Sequence, residues 1–242
     1  MCVVTYLPLP EGGFVLTSNR DELSSRPVAL ASQAYTLADG LVCFPKDPPG
    51  GGTWLATSGI ATVCLLNGAF EPHRHQPPYR KSRGLVVLDY FSYPSPALFT
   101  DRYDFSGIEP FTLVIVSHGS GTPALHELRW NGKQVYLRNM PPKVAHIWSS
   151  VTLYTLPMAE LRKTWLAQFL YKQPQYTPAD VFAFHQTAGD GDPAHDFVMH
   201  RPADGLQTVS ITQVYHRAAD QQMRYLDLSG QASVQVPVGY SV

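Results

Sequence analysis

The order of signals along the chain predicts an α+β fold of antiparallel strands with helices set apart from them, and three observations carry that expectation. Apolar or alternating runs recur in pairs across short turn-forming stretches: residues 3–7 and 14–17 flank Pro8-Leu9-Pro10-Glu11-Gly12-Gly13, and 125–130 and 134–137 flank Asn131-Gly132-Lys133. Helical periodicity is confined to a middle block, over 83–91, and a later one, over 157–171 and 178–186. Strand and helix do not alternate along the chain, which argues against a doubly wound parallel sheet.

Taken in order, the opening hairpin turns near Pro10 and leads into the polar quartet Asn19-Arg20-Asp21-Glu22. Residues 24–27 break regular structure, and 41–44 read as a short buried strand. The stretch 45–52, rich in proline and glycine, reads as a loop with a low-bulk backbone that lets a ligand approach closely. It is no phosphate-binding signature, because neither GxxxxGK nor GxGxxG opens a helix there. Residues 53–57 and 60–66 pair as strands across Ser58-Gly59, and Asn67-Gly68 ends the second. The loop 71–81 holds His73 and His75, which read as solvated rather than metal-binding because no further ligand stands at a characteristic spacing. Ser82 is the expected cap of the helix over 83–91, and Ser95-Pro96 starts a shorter one. Strands follow over 111–117, 125–130, 134–137 and 144–149. Leu161, Trp165, Leu166, Phe169 and Leu170 form the buried stripe of the helix over 157–171. Thr177-Pro178-Ala179-Asp180 has the cap, first-turn proline and early carboxylate of another helix start. A hairpin over 208–216 and 223–228 closes the chain.

A chain of 242 residues without a recognisable linker is expected to form one domain over 1–242. With 44% hydrophobic and 15% charged residues it has the composition of a globular protein, not of a disordered one. A formal net charge of -1 gives no electrostatic reason to expect nucleic acid or an anionic membrane as partner. No apolar run approaches the roughly 20 residues of a membrane span, and Pro8, Pro10 and Glu11 interrupt anything like a secretory signal, so a cytoplasmic location is expected. Cys2, Cys43 and Cys64 form neither a disulfide framework nor a zinc pattern, and no metal or cofactor is expected. Cys43 and Cys64 sit in apolar stretches and read as core residues.

Cys2 is different. Removal of Met1 would leave it with a free α-amine, of reference pKa about 7.7 to 8.0, beside a thiol near about 8.5, so one can serve as base for the other. Position alone favours an inert small residue at a chain end. The hairpin register, however, sets Cys2 opposite residues 18–20, which brings the thiol to the polar quartet.

Cys2, Asn19-Arg20-Asp21-Glu22, Arg26-Pro27, Gly51-Gly52-Thr53-Trp54-Leu55, Asn67 and Ser82-Arg83-Gly84 together are similar, in order and spacing, to the NRDE family, also called the transport and Golgi organisation protein 2 family. The resemblance is specific through about residue 90. Beyond it, 197–210 looks like a diverged copy of a late family strand, with Gly205-Leu206-Gln207-Thr208 where the family commonly carries an arginine. The resemblance implies a layered αββα, N-terminal-nucleophile hydrolase-like fold, two packed antiparallel sheets flanked by helices. It also implies a site with catalytic Cys2, Arg20, Asp21 and Asn67 and substrate-binding Asn19, Gly51, Gly52, Thr53 and Trp54. The activity expected is amidohydrolysis of a non-peptide C–N bond in a small or acylated substrate, with Asn67 as an oxyanion donor. The alternative the resemblance leaves open is a non-catalytic binding or trafficking protein of the same fold, related to haem or to lipid and acyl-CoA. No CxxCH haem motif is present, although nine histidines offer possible axial ligands.

Overall fold

A computed structural model describes residues 3–37, 40–119, 121–217, 220–230 and 232–238. The chain opens with β1 (Val3–Pro8) and β2 (Phe14–Leu23), joined by a single 3-10 turn over Pro10–Gly12. Then come β3 (Leu30–Leu37), β4 (Gly40–Lys46), β5 (Leu55–Thr57) and β6 (Ala61–Asn67). Two short helices follow, α1 (Arg83–Asp89) and α2 (Pro96–Arg102), and then β7 (Phe111–Ser117), β8 (Ala124–Trp130), β9 (Val135–Met140) and β10 (His146–Ser149). The helices α3 (Leu156–Lys172) and α4 (Pro178–Thr187) precede β11 (His200–Arg201), β12 (Leu206–Arg217), β13 (Asp220–Asp227) and β14 (Ser233–Pro237).

Every pairing between these strands is antiparallel. One sheet runs β10-β1-β2-β12-β13-β14 with β11 on β12, and the other runs β3 through β9 in chain order. The sheets face each other across a core that includes Val4, Tyr6, Leu16 and Val214 from the first and Leu55, Cys64, Leu66 and Val114 from the second. The outer face of the second sheet is covered by α1 and α2 through Val86, Val87 and Phe99. That of the first is covered by α3 and α4 through Trp165, Leu166, Val181 and Phe184. Three separate apolar layers follow from strand alternation, because each sheet must bury both faces. The result is the layered αββα, N-terminal-nucleophile hydrolase-like fold class.

Three elements differ from the sequence reading. The quartet, read as following the strand over 14–17, continues β2, which pairs with β1 as far as Asn19 and with β12 as far as Leu23. β3 goes unsignalled because most of its residues are exposed on an edge, so no apolar alternation marks it. Ser82 stands at the cap position of α1 but makes no capping hydrogen bond, whereas Ser95 does accept from Leu98 N–H. Cys43 and Cys64 are core residues, and burial pushes both thiols up to about 12. At the start of β2, Phe14 stacks on His216, and His118 lies 4.6 Å from the same imidazole. Burial, then the charge of His216, pushes His118 down to about 3.

No helix among the described residues is long and apolar enough to cross a membrane.

Candidate functional site

Alternation along β2 divides the quartet between two faces. Asn19 and Asp21 turn towards α3 and α4; Arg20 and Glu22 turn the other way, into a cleft. The Asn19 amide donates to the carbonyls of His185 (3.0 Å) and Phe197 (2.7 Å), so its Oδ1 is the acceptor for His185 Nδ1–H at 2.6 Å. Burial, helped by the Arg162 charge, pushes His185 down to about 3 and keeps it neutral. Its Nε2 must then accept from Thr5 Oγ1 at 2.7 Å. Asp21 receives Tyr154 O–H on one oxygen and Thr208 O–H on the other. The fully buried Arg162 lies over the Tyr154 ring at 3.7 Å. Thr208 closes the stretch Gly205-Leu206-Gln207-Thr208, and its hydroxyl is what that segment supplies to the quartet.

The cleft, of about 190 Å³, opens where β2, β4 and β6 end and is bounded by the first turn of α1. Its lining includes Arg20, Glu22, Arg26, Asp47, Gly52, Thr53, Trp54 and Asn67. Asp47 is the hub. It accepts from Arg20 (2.8 Å), from Arg26 Nε (2.9 Å) and NH2 (2.7 Å), and from Gly50 N–H (3.1 Å). Burial opposes its ionisation, but the Arg26 hydrogen bond and the Arg20 and Arg26 charges win and hold the carboxyl below its ordinary value. Glu22 completes the cluster at 3.5 Å from Arg20 and 3.4 Å from Arg26. The Arg20 guanidinium also rests on Trp54, 4.4 Å from the ring centroid, and Trp54 Nε1 donates across the sandwich to Thr212 Oγ1.

The glycine loop is closed by reciprocal backbone bonds, Asp47 N–H to Gly52 and Gly51 N–H to Asp47, and Thr53 N–H reaches Gly84. A Cβ on Gly52 would come within 2.2 Å of the Gly84 carbonyl carbon, so only glycine allows this seam. On the far wall stand Asn67, Ser82 and Arg83. Arg83 forms an ion pair with Glu109 at 3.0 Å and donates to the Pro110 carbonyl at 3.3 Å. Among the described residues, neither the Asn67 carboxamide nor the Ser82 hydroxyl has a hydrogen-bond partner.

Of the residues singled out from the sequence, Arg20, Gly52, Thr53, Trp54 and Asn67 therefore share one cleft, from both sheets. Asn19 and Asp21 lie on the opposite face of β2, and Gly51 is in the loop but not in the lining. Cys2 lies outside the described residues. Glu22, Arg26, Ser82, Arg83 and Gly84 stood in the quoted motifs without a role, and Asp47 in none. Its only trace was its place before a proline-glycine loop, where an Asp side chain closes on its own backbone. His73 and His75 are not merely solvated: both contact Glu109 Oε1, at 3.0 and 3.1 Å, behind Arg83.

Fold and cleft define a layered αββα protein with an ion-paired pocket where strands of both sheets end. Within that class, the sequence model of the Transport and Golgi organisation 2 family matches residues 1–177, and the chain belongs to this family. Comparison with individually curated proteins gives no match.

Proposed function

We propose that the protein is a cysteine-nucleophile amidohydrolase, cutting a linear, non-peptide C–N bond of a small or acylated substrate in this cleft. With Met1 removed, the α-amine of Cys2 takes the thiol proton and Sγ attacks the amide carbon. The tetrahedral intermediate collapses as the C–N bond breaks and the amine leaves with that proton. Water then cleaves the thioester and restores the thiol. Arg20 stabilises the thiolate, and the Asn67 amide donates to the oxyanion, a contribution on the order of 3 kcal/mol in comparable sites. Asp21 acts on the α-ammonium, held by Tyr154 and Thr208. Asn19 supports the strand through His185 instead of touching substrate.

The observation that carries this reading is the convergence of Arg20 from one sheet and Asn67 from the other on a single cleft. β1 supports it: Val3 pairs with Asn19, and Val4 and Tyr6 turn into the space between the sheets.

Intact mass before and after an electrophilic thiol probe, with turnover of an amide panel, tests the proposal. Cys43 and Cys64 are buried thiols with pKa pushed to about 12, so the expected result is loss of Met1 and a single adduct, on Cys2. Cys2→Ala should remove both adduct and turnover, and Asn67→Ala should lower kcat about a hundredfold with a smaller change in KM. Turnover that survives Cys2→Ala overturns the mechanism. A tight ligand with neither adduct nor turnover favours the binding protein instead.

A further inference from the structure

The two walls of the cleft are charged but not alike. On one, Arg20 and Arg26 are neutralised by Asp47 and Glu22 within the lining itself. On the other, Arg83 is the cation, and its carboxylate partner Glu109 lies behind it, outside the lining. Glu109 is further shared with His73 and His75. A guanidinium carries five N–H donors, and Arg83 pairs with Glu109 by charge and commits one donor to a carbonyl, so donors remain. Ser82 and Asn67 add a hydroxyl and a carboxamide with no partner among the described residues. Among the described residues, Asn67, Ser82 and Arg83 make this wall rich in donors, and the carboxylates that act on Arg83 stand off it, Glu109 behind and Glu22 across the cleft.

We infer that the Arg83 and Ser82 wall is a recognition subsite for a carboxylate, so that the substrate class is a small amide bearing a free acid group. This rests on the proposed hydrolase reading for the word substrate, but the binding itself does not. Arg83 and Ser82 take the carboxylate while Asn67, at the end of β6, is left for the amide carbonyl. Burial lowers the Arg83 pKa against the pull of Glu109, so the guanidinium is poorly solvated and gains from an anion that supplies the missing contacts. A cleft of about 190 Å³ is larger than the roughly 150 Å³ of a cavity that binds benzene, which admits a small acid or the acidic end of a longer one.

The test uses full-length Cys2→Ala protein, which separates recognition from turnover, titrated with N-acetylglycine and with its neutral analogue N-acetylglycinamide. Amide chemical shifts at residues 67 and 82–84 report on the site. The acid should bind at least tenfold tighter than the amide, with its advantage reduced by raised salt. Ser82→Ala, which removes no structural hydrogen bond, should weaken the acid severalfold and leave the amide unchanged. Arg83→Gln should abolish the preference. If that variant fails to fold, Arg83→Lys carries the test, because it keeps the charge and loses the planar fork, and should cut the preference several-fold. Equal binding of acid and amide, a preference untouched by these variants, or shifts that avoid residues 67 and 82–84 altogether would each overturn the subsite. None of these results bears on whether Cys2 is a nucleophile. Conversely, loss of the thiol chemistry would leave an acid-binding cleft intact.

Discussion

The two faces of β2 carry similar residues to opposite ends. Towards the helices, Asn19 and Asp21 sit in a closed network in which neutral donors and acceptors from His185, Phe197, Tyr154 and Thr208 satisfy them. Towards the cleft, Arg20 and Glu22 sit among full charges with a pocket beside them. The difference teaches that burial alone does not mark a site. Arg20, Asn19 and Asp21 are all buried, and only the face with open space and unspent donors can meet a ligand. The helix face supports the strand and, in the proposed mechanism, supplies Asp21 to the chain's amine, while the cleft face is where a ligand can enter.

Substitutions can break this division. Asp47→Ala should have the largest effect, because it leaves the buried Arg20 with only the longer Glu22 contact and removes the partner of Arg26; a loss of about 3 to 5 kcal/mol in urea unfolding is expected, together with weakened probe binding. Asn19→Ala removes the partner of His185 Nδ1–H and a donor from the His185 and Phe197 carbonyls, of which Phe197 keeps Thr208, and should cost about 3 kcal/mol, with N-acetylglycine affinity preserved in the remaining folded protein. Should Asn19→Ala abolish binding at unchanged stability, the assignment of the two faces is reversed.

Gly52→Ala should cost about 1 to 3 kcal/mol through the clash with Gly84, and distort the pocket as well. Acid sharpens the same contrast. His185 and His118 have folded pKa values of about 3 against 6.5 in the unfolded chain, so unfolding takes up protons between these limits. Their stabilisation is complete above pH 6.5 and is lost as pH falls towards 3; His185→Phe should remove one share of that slope in pH-dependent denaturation. The Asp47 contribution, from a carboxyl held below 3.8, is lost only under more acidic conditions. Ser82→Ala should be the mildest, within about 0.5 kcal/mol of wild type in stability while still reducing acid binding.

Turn and cap chemistry made much of the architecture legible. Pro10 through Gly13, Asn131-Gly132 and the Thr177 to Asp180 box all end or start elements as their local rules require. The polar end of β2 was not legible, because what makes it a strand is β12, whose Thr208 and Ser210 pair with residues almost two hundred positions away. Part of the site was written in Arg20, Trp54 and Asn67. The rest depends on Asp47 meeting arginines 27 and 21 positions earlier in the chain, a pairing that no periodicity announces.

The place of β2 between β1 and β12 also governs when the cleft can exist. During synthesis the first hairpin can form early, but the second neighbour of β2 emerges only after more than 180 further residues have been made. Until then one edge of the strand that carries Arg20 and Asp21 is unpaired, and the Tyr154 contact has no Thr208 opposite it. Closure of this sheet is therefore a late, long-range step of the kind that slows folding and exposes a strand edge to other chains. A nascent chain that has reached Gly205 already contains the whole family-matched stretch, yet still lacks the strand that completes its central sheet.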